Sequence, residues 1–320
     1  MWRVVAYCSE VPKLRVSSFY EESSVTCQDY VLITPARNEE AYLEKTIEAV
    51  LAQTIRPKKW IIVSDGSVDR TDEIAASYAR NHNFILVLRV GAGQQKDFGS
   101  KVRAFQAGYD QLPNENFGFV GNLDADVSFA PDYYQQVLER LRANPRLGIA
   151  GGIIQERIGD QFISQRISLN SVAGAVQLFR RECFEAIGGY IPMKFGGIDA
   201  AAEIMARMHG WMVQTFPEIP VRHHRRVSTG QATVFRARFR QGMTNYLLGY
   251  HPLFQLLSCL YRTVDRPYLV GSALLLLGYG WSWIRRERRP IPREVVEFLR
   301  AEQRARMAAS FVARKPARAN

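Results

Sequence analysis

From Tyr30 onward the chain alternates between short apolar runs and longer stretches with helical spacing. Residues 30–34, 60–64, 84–88 and 117–123 read as strands, each too short for a helix and bounded by polar or turn residues. Between them, residues 39–52 carry Leu43, Ile47, Val50 and Leu51 on one helical face. Residues 71–81 and 101–109 repeat that spacing. Residues 131–143 form a further predicted helix, with Pro131 near its first turn. This β-α-β-α order predicts a mostly parallel sheet covered by helices. Polar loops at the strand ends then gather along one edge, where open α/β sheets place their chemistry. Residues 147–155, 174–178 and 211–216 are expected to add strands, and 183–187 and 198–209 to add helices.

After residue 230 the pattern changes. Residues 234–250 are a basic helical stretch with Arg236, Arg238 and Arg240, broken by His251-Pro252. Residues 253–260 and 269–284 are apolar. The second run is near the lower limit for a spanning helix, which needs about 17–25 apolar residues. Tyr268, Tyr279, Trp281 and Trp283 resemble interfacial anchors, and Gly271, Gly278 and Gly280 are better tolerated in lipid than in water. Both flanks are basic, which conflicts with a full span. A monotopic or re-entrant attachment to the cytoplasmic leaflet is favoured, with a buried core helix as the alternative.

Charge sharpens this picture. The 320-residue chain has a net charge of +11, and residues 285–320 carry eleven basic and four acidic residues, a net +7. Such a balance suits an anionic partner: a nucleotide, an acidic membrane surface or nucleic acid. The excess lies beside the apolar, Trp-bearing segment rather than among interleaved aromatics. Membrane therefore fits better than nucleic acid. Cys8, Cys27, Cys183 and Cys259 are scattered, without metal-ligand spacing, and read as free thiols. The first residues hold no sustained apolar core of a secretory signal, so the chain is expected on the cytoplasmic side.

The strongest chemical signal lies at the end of the fourth apolar run, where Asp124 and Asp126 are separated by one residue. Carboxylates that close repel unless a hard cation or strong donors lie between them. Alone, the pair also fits an acidic turn. Asp65 follows the second run in Asp65-Gly66-Ser67-Val68-Asp69, and fits equally a turn or helix cap. Glu39 closes Pro35-Ala36-Arg37-Asn38-Glu39 and could serve only the helix dipole. Lys101 opens the third helix and suits a phosphate contact or plain solvent exposure.

Taken in order, these four clusters resemble the family 2 glycosyltransferases, which have the GT-A fold. Their loops run Pro-x-x-Asn-Glu, Asp-Gly-Ser-x-Asp, Gly-Lys-x-x-Ala-x-x-x-Gly and Asp-x-Asp. Gly188-Gly189-Tyr190 with Ile198-Asp199 resembles a fifth segment, and the likeness covers roughly residues 30–230. It implies that Asp65, Glu39, Pro35 and Ala36 enclose the nucleoside, and that Lys101, Arg225 and Arg226 hold the diphosphate. Asp126 is then the principal ligand of Mn²⁺ or Mg²⁺, Asp124 contacts ribose or the metal through water, and His223 completes the shell. Asp199 is the candidate general base of an inverting displacement, with Glu203 one turn later as its substitute. The chain has Ile198 where relatives often carry Glu, and Ser64 where many carry a second Asp. It lacks the Gln-x-x-Arg-Trp of processive synthases, and Phe239-Arg240-Gln241-Gly242 is its nearest approach, which favours a single transfer over polymerisation.

The resulting expectation is a GT-A catalytic domain over 1–230, with a nucleotide-sugar half at about 30–126 and an acceptor half at about 127–230. A helical, membrane-associated extension follows over 231–320. The implied reaction moves a sugar from a nucleotide-sugar donor, UDP-linked first, to a membrane-held, lipid-linked saccharide in surface or exopolysaccharide synthesis. Two alternatives stand beside it: a polyprenyl-phosphate glycosyltransferase, and an inactive family member that assists assembly at the membrane.

Overall fold

A computed structural model describes residues 29–91, 99–113, 115–158, 160–164, 168–225, 231–264 and 268–312. Arg226, Cys8 and Cys27 lie outside these residues. The first half follows the predicted alternation: β1 (Tyr30–Ala36), α1 (Leu43–Leu51), β2 (Lys59–Asp65), α2 (Thr71–Ala79), β3 (Ile85–Val90), α3 (Ser100–Tyr109) and β4 (Phe119–Asn122). Then come β5 (Val127–Phe129), α4 (Tyr133–Ala143), β6 (Leu147–Ile158), β7 (Gln161–Ser164), β8 (Leu178–Arg180), α5 (Arg181–Ala186), α6 (Ile198–Met208) and β9 (Met212–His223). Four helices close the chain: α7 (Gln231–Leu247), α8 (Pro252–Tyr261), α9 (Tyr268–Ile284) and α10 (Arg293–Val312), with a 3₁₀ turn, Arg262–Val264, after α8.

One nine-stranded sheet runs β3-β2-β1-β4-β8-β6-β9-β5, with β7 beside β6. The β3-β2-β1-β4 half is parallel, as is the β6–β9 pair. β8 enters antiparallel between β4 and β6, and β5 pairs antiparallel with β9. Val31, Leu32, Ile33, Trp60, Ile61, Ile62 and Val63 are fully buried. These strands are covered on both faces, which explains why they read as continuous apolar runs.

Several boundaries move, for local reasons. α1 starts at Leu43, because residues 39–42 make a turn in which Tyr42 and Leu43 both donate to the Glu39 carbonyl. The strand expected at 174–178 is displaced to Leu178–Arg180; a turn closed by Val176 N–H on the Ala173 carbonyl precedes it. β9 runs on to His223, beyond the expected 216. β5 and β7, of three and four residues, and α10 carry no expectation from the sequence. α10 was hidden within a charge-rich tail, yet Val295, Val296 and Leu299 repeat at helical spacing and are buried.

The helices after residue 230 share the main core. Tyr246, Leu247, Leu248, Tyr279, Val295 and Leu299 belong to the same apolar cluster as Val31, Ile33 and Phe179. The change in composition near 230 is therefore not a break in packing. Tyr279, read from sequence as an interfacial anchor, is 8% exposed and donates its hydroxyl to the Tyr250 carbonyl at 2.7 Å. Trp281 and Trp283 do face outward. Among the described residues no helix is long and apolar enough to cross a membrane.

Candidate active site

The C-terminal ends of β1, β2 and β4 and the start of α3 open onto a cavity of about 630 Å³. Pro35, Ala36, Arg37, Glu39, Asp65, Ser100, Lys101, Asp124, Asp126, His223, Arg225 and Arg240 line it. That volume falls in the range of small-ligand and cofactor sites.

The first two loops are laced together. Asn38, at φ 55°, accepts from Val68 N–H at 2.9 Å, and its own N–H donates to Ser67 Oγ at 3.2 Å. Glu39 N–H donates to Thr71 Oγ1 at 2.7 Å, and Glu40 N–H to Asp69 Oδ2 at 3.1 Å. The Asn of the first motif thus holds Ser67 and Val68 of the second loop, and the Asp69 of the second holds Glu40 of the first. Asp65 is 8% exposed and lies 3.7 Å from Arg37. On its other flank stands Gly91 at φ +72°, where any side chain would collide with the Asp65 carboxylate.

Asp124 and Asp126 leave β4 in different directions. Asp124 N–H donates to the Ala175 carbonyl, and its carboxylate accepts from Lys101 Nζ at 2.5 Å. Asp126 is brought under β9 by strand register: Val127 pairs with His223, and His224 N–H donates to the Asp126 carbonyl at 2.8 Å. His223 Nε2 consequently lies 3.3 Å from Asp126 Oδ1, and Arg225 Nε donates to Asp126 Oδ2 at 2.8 Å. The far end of Arg225 donates to Glu39, so one guanidinium joins two walls of the cavity.

Burial pushes the Asp126 carboxyl up, but His223 and Arg225 together overcome it and hold its pKa down at about 2. The hydrogen bond from His223 to Asp126 raises the imidazole in turn. His224 is lowered, first by burial and then by Lys45, and its Nε2 pairs with Ser128 Oγ at 2.7 Å, away from Asp126.

Asp126 and His223 form an acidic, nitrogen-bearing pair suited to a divalent ion. Among the described residues, no group of three His, Cys, Asp or Glu side chains is arranged to hold a metal. The residues present therefore fit a partial shell, two protein ligands with open positions for ligand oxygens. Asp124, in the same cavity, is held by Lys101.

The two base candidates separate sharply. Asp199 is half-buried in the first turn of α6, packed against Gly174, and its carboxylate accepts from Ala200 N–H at 2.9 Å. It lies beside the cavity rather than in its lining. Glu203 is 4% exposed and points away from solvent. It accepts from Val172 N–H at 2.6 Å, Ser171 Oγ at 3.2 Å and Gln177 Nε2 at 3.3 Å. That environment makes it the anchor of the segment before β8. Burial raises it to about 7.

Of the polar lining residues, Arg37, Ser100 and Arg240 carry no role from the sequence. Arg37 was passed over inside its own motif. Arg240 was placed in the extension, because nothing local shows that α7 returns to the sheet edge.

A sheet whose parallel half ends in this laced, two-carboxylate edge is the architecture of a GT-A glycosyltransferase domain. The chain belongs to glycosyl transferase family 2, whose model matches residues 31–199. A poly-beta-1,6-N-acetyl-D-glucosamine synthase of Staphylococcus epidermidis is 29% identical over 171 residues, covering 47% of this chain and 39% of that protein. One from Staphylococcus aureus is 32% identical over 116 residues, covering 36% and 26%. The chain thus spans well under half the length of the curated relatives it matches. Among solved structures, the mannosyltransferase PcManGT from Pyrobaculum calidifontis, in complex with GDP-Man and Mn²⁺, superposes with a TM-score of 0.51 at 18% identity, over 88% of this chain and 75% of that one. GalNAc-T7 with UDP, GalNAc and Mn²⁺ gives 0.50 at 13% identity, over 68% and 48%. These likenesses concern the fold.

Proposed function

We propose that this chain is a metal-dependent, inverting glycosyltransferase that uses a nucleotide-sugar donor and a membrane-held, lipid-linked saccharide acceptor. The observation that carries the reading is the pairing of every cavity carboxylate with a basic side chain: Asp65 with Arg37, Asp124 with Lys101, Asp126 with His223 and Arg225, and Glu39 with Arg225. A nucleoside diphosphate with its cation has the same alternation of charge and can exchange for these pairs.

In this reading Asp65 accepts from the nucleoside, against the Pro35-Ala36 wall. Lys101 and Arg225 turn from their carboxylates to the diphosphate. Asp126 and His223 hold Mn²⁺ or Mg²⁺, with Asp124 nearby. Such an ion, when bound, would take up charge on the departing diphosphate. Asp199 removes the proton from the acceptor hydroxyl. Residues 30–126 act as the donor half, 127–230 as the acceptor half, and the last four helices place the enzyme on the cytoplasmic face of the membrane. UDP-N-acetylglucosamine is the first donor to test, since the relatives are named for that sugar. The absent Gln-x-x-Arg-Trp supports one transfer per acceptor.

The deciding experiment is donor hydrolysis across a nucleotide-sugar panel, with and without Mn²⁺, for wild type and Asp126→Ala. Hydrolysis that depends on Mn²⁺ in the wild type and is lost in the variant is expected. Metal-independent turnover that survives the substitution would refute the metal assignment. Asp199→Asn is expected to bind donor and fail in transfer.

A further inference from the structure

Away from the donor cavity, α7, the 3₁₀ turn and α9 enclose a small notch lined by Arg238, Arg262, Gly271, Ser272 and Leu275. Among the described residues the buried Ser272 hydroxyl, in a residue only 7% exposed, finds no hydrogen-bond partner there. Buried hydroxyls are normally satisfied, so an orphan beside two guanidinium groups points to a ligand. Among the described residues, every polar side chain in the lining can donate and none is a carboxylate. This set fits an anion rich in acceptor oxygens, such as a phosphate. The notch is about 10 Å³, room for one water-sized group, so a single oxygen enters while the rest of the anion stays at the mouth.

The surroundings decide the source of that phosphate. Leu260 and Tyr261, just before Arg262, are 58% and 82% exposed. Leu269 and Val270, just before Gly271 and Ser272, are 70% and 52% exposed. Free phosphate gains nothing from these neighbours, whereas a lipid phosphate arrives with acyl chains that cover them. The chain's net charge of +11 favours the same anionic surface.

We propose that this notch binds the phosphate of a membrane-lipid headgroup, with Arg262 and Ser272 as donors. The proposal deepens the membrane-held reading above, but its test needs no turnover. Binding is measured by co-sedimentation with phosphatidylcholine vesicles doped with either phosphatidic acid or oleate at matched surface charge. At least roughly tenfold tighter binding to phosphatidic acid is expected, because a phosphate can place one oxygen in the notch and keep two more on Arg262 at the mouth, whereas a carboxylate has only two oxygens in all. Arg262→Gln and Ser272→Ala are each expected to erase that preference, whereas Arg288→Gln, an exposed arginine, lowers both affinities alike. UDP affinity, measured in parallel by calorimetry, is expected to stay unchanged in all three, which separates this site from the donor cavity. Equal binding to the two vesicle types overturns the proposal, as does a preference that persists in Arg262→Gln. Competition by inorganic phosphate as strong as that of the lipid would assign the notch to free phosphate instead. A stable dimer that leaves vesicles unbound would assign the apolar rim to a second copy of the chain.

Discussion

Gly242 of α7 and Gly278 of α9 let the two helices cross backbone against backbone. A methyl group at Gly242 would strike the Leu275 carbonyl, and one at Gly278 the Phe239 carbonyl. Backbone cannot yield as a side-chain tip can, so the two helices cross at this distance only with glycine at both positions. The crossing also fixes Arg240, two residues before Gly242, at the cavity edge.

Gly278→Ala is expected to destabilise the protein by about 1–3 kcal/mol, the usual cost of overpacking. Gly280→Ala, with nothing within 4 Å of the added methyl, is expected to stabilise it by up to about 1 kcal/mol through helix propensity. Thermal unfolding of the two variants measures both, and equal shifts would contradict the crossing. Donor affinity is expected to fall in Gly278→Ala alone, because only that change moves α7.

Gly91→Ala acts on the nucleoside end. The positive φ and the collision with Asp65 together force the carboxylate out of place. UDP affinity is expected to drop roughly tenfold, the loss of one charge-assisted hydrogen bond, alongside a stability loss of about 1 kcal/mol from alanine at a positive φ. Calorimetric titration with UDP distinguishes this from general unfolding.

Arg225→Gln removes the link between Asp126 and Glu39. Its loss is expected to raise the Mn²⁺ affinity of the donor-free protein, since a competing cation leaves Asp126. Donor affinity is expected to fall by roughly ten- to a hundredfold, the worth of a charge-assisted phosphate contact. Titration of bound Mn²⁺ by electron paramagnetic resonance, before and after UDP, reads the two effects separately.

Glu203 gives the stability a pH dependence of known sign. Its folded-state pKa is raised, from 4.5 to about 7, so the folded protein holds a proton that the unfolded chain releases. The contribution of Glu203 is full below pH 4.5 and is lost as pH rises towards 7, by at most about 3 kcal/mol. Glu203→Gln is expected to remove that slope in urea unfolding at pH 5 and pH 7. An unchanged slope would show that another group carries it.

The legible part of this protein was its repeating pattern. Four strands announced themselves as apolar runs, and for β1, β2 and β4 the reason is burial, because strands covered on both faces need no polar alternation. The polar residues at their ends, from Glu39 to Asp126, could be placed along one edge because parallel strands end on the same side. The pairing of Asn38 with Val68, or of Thr71 with Glu39, was not legible, because those contacts join loops some thirty residues apart.

Helical phase and strand register decided the rest. Asp199 and Glu203 lie four residues apart on α6, so sequence made them interchangeable candidates for one role. Packing divides them: the first turn stays half-open beside Gly174, while the next is sealed beneath Val172 and Gln177. His223 reaches Asp126 only because β9 pairs antiparallel with β5, a strand of three residues too short to leave a pattern. Gly278 read as a residue suited to lipid, and the fold gives it a different reason, the contact with Gly242. The sequence by itself determined the order of the elements and the chemical character of the edge, since both follow from local periodicity. Only the tertiary structure decided which carboxylates are open, which cations face them and what α7 contributes, because each depends on contacts between segments distant in the chain.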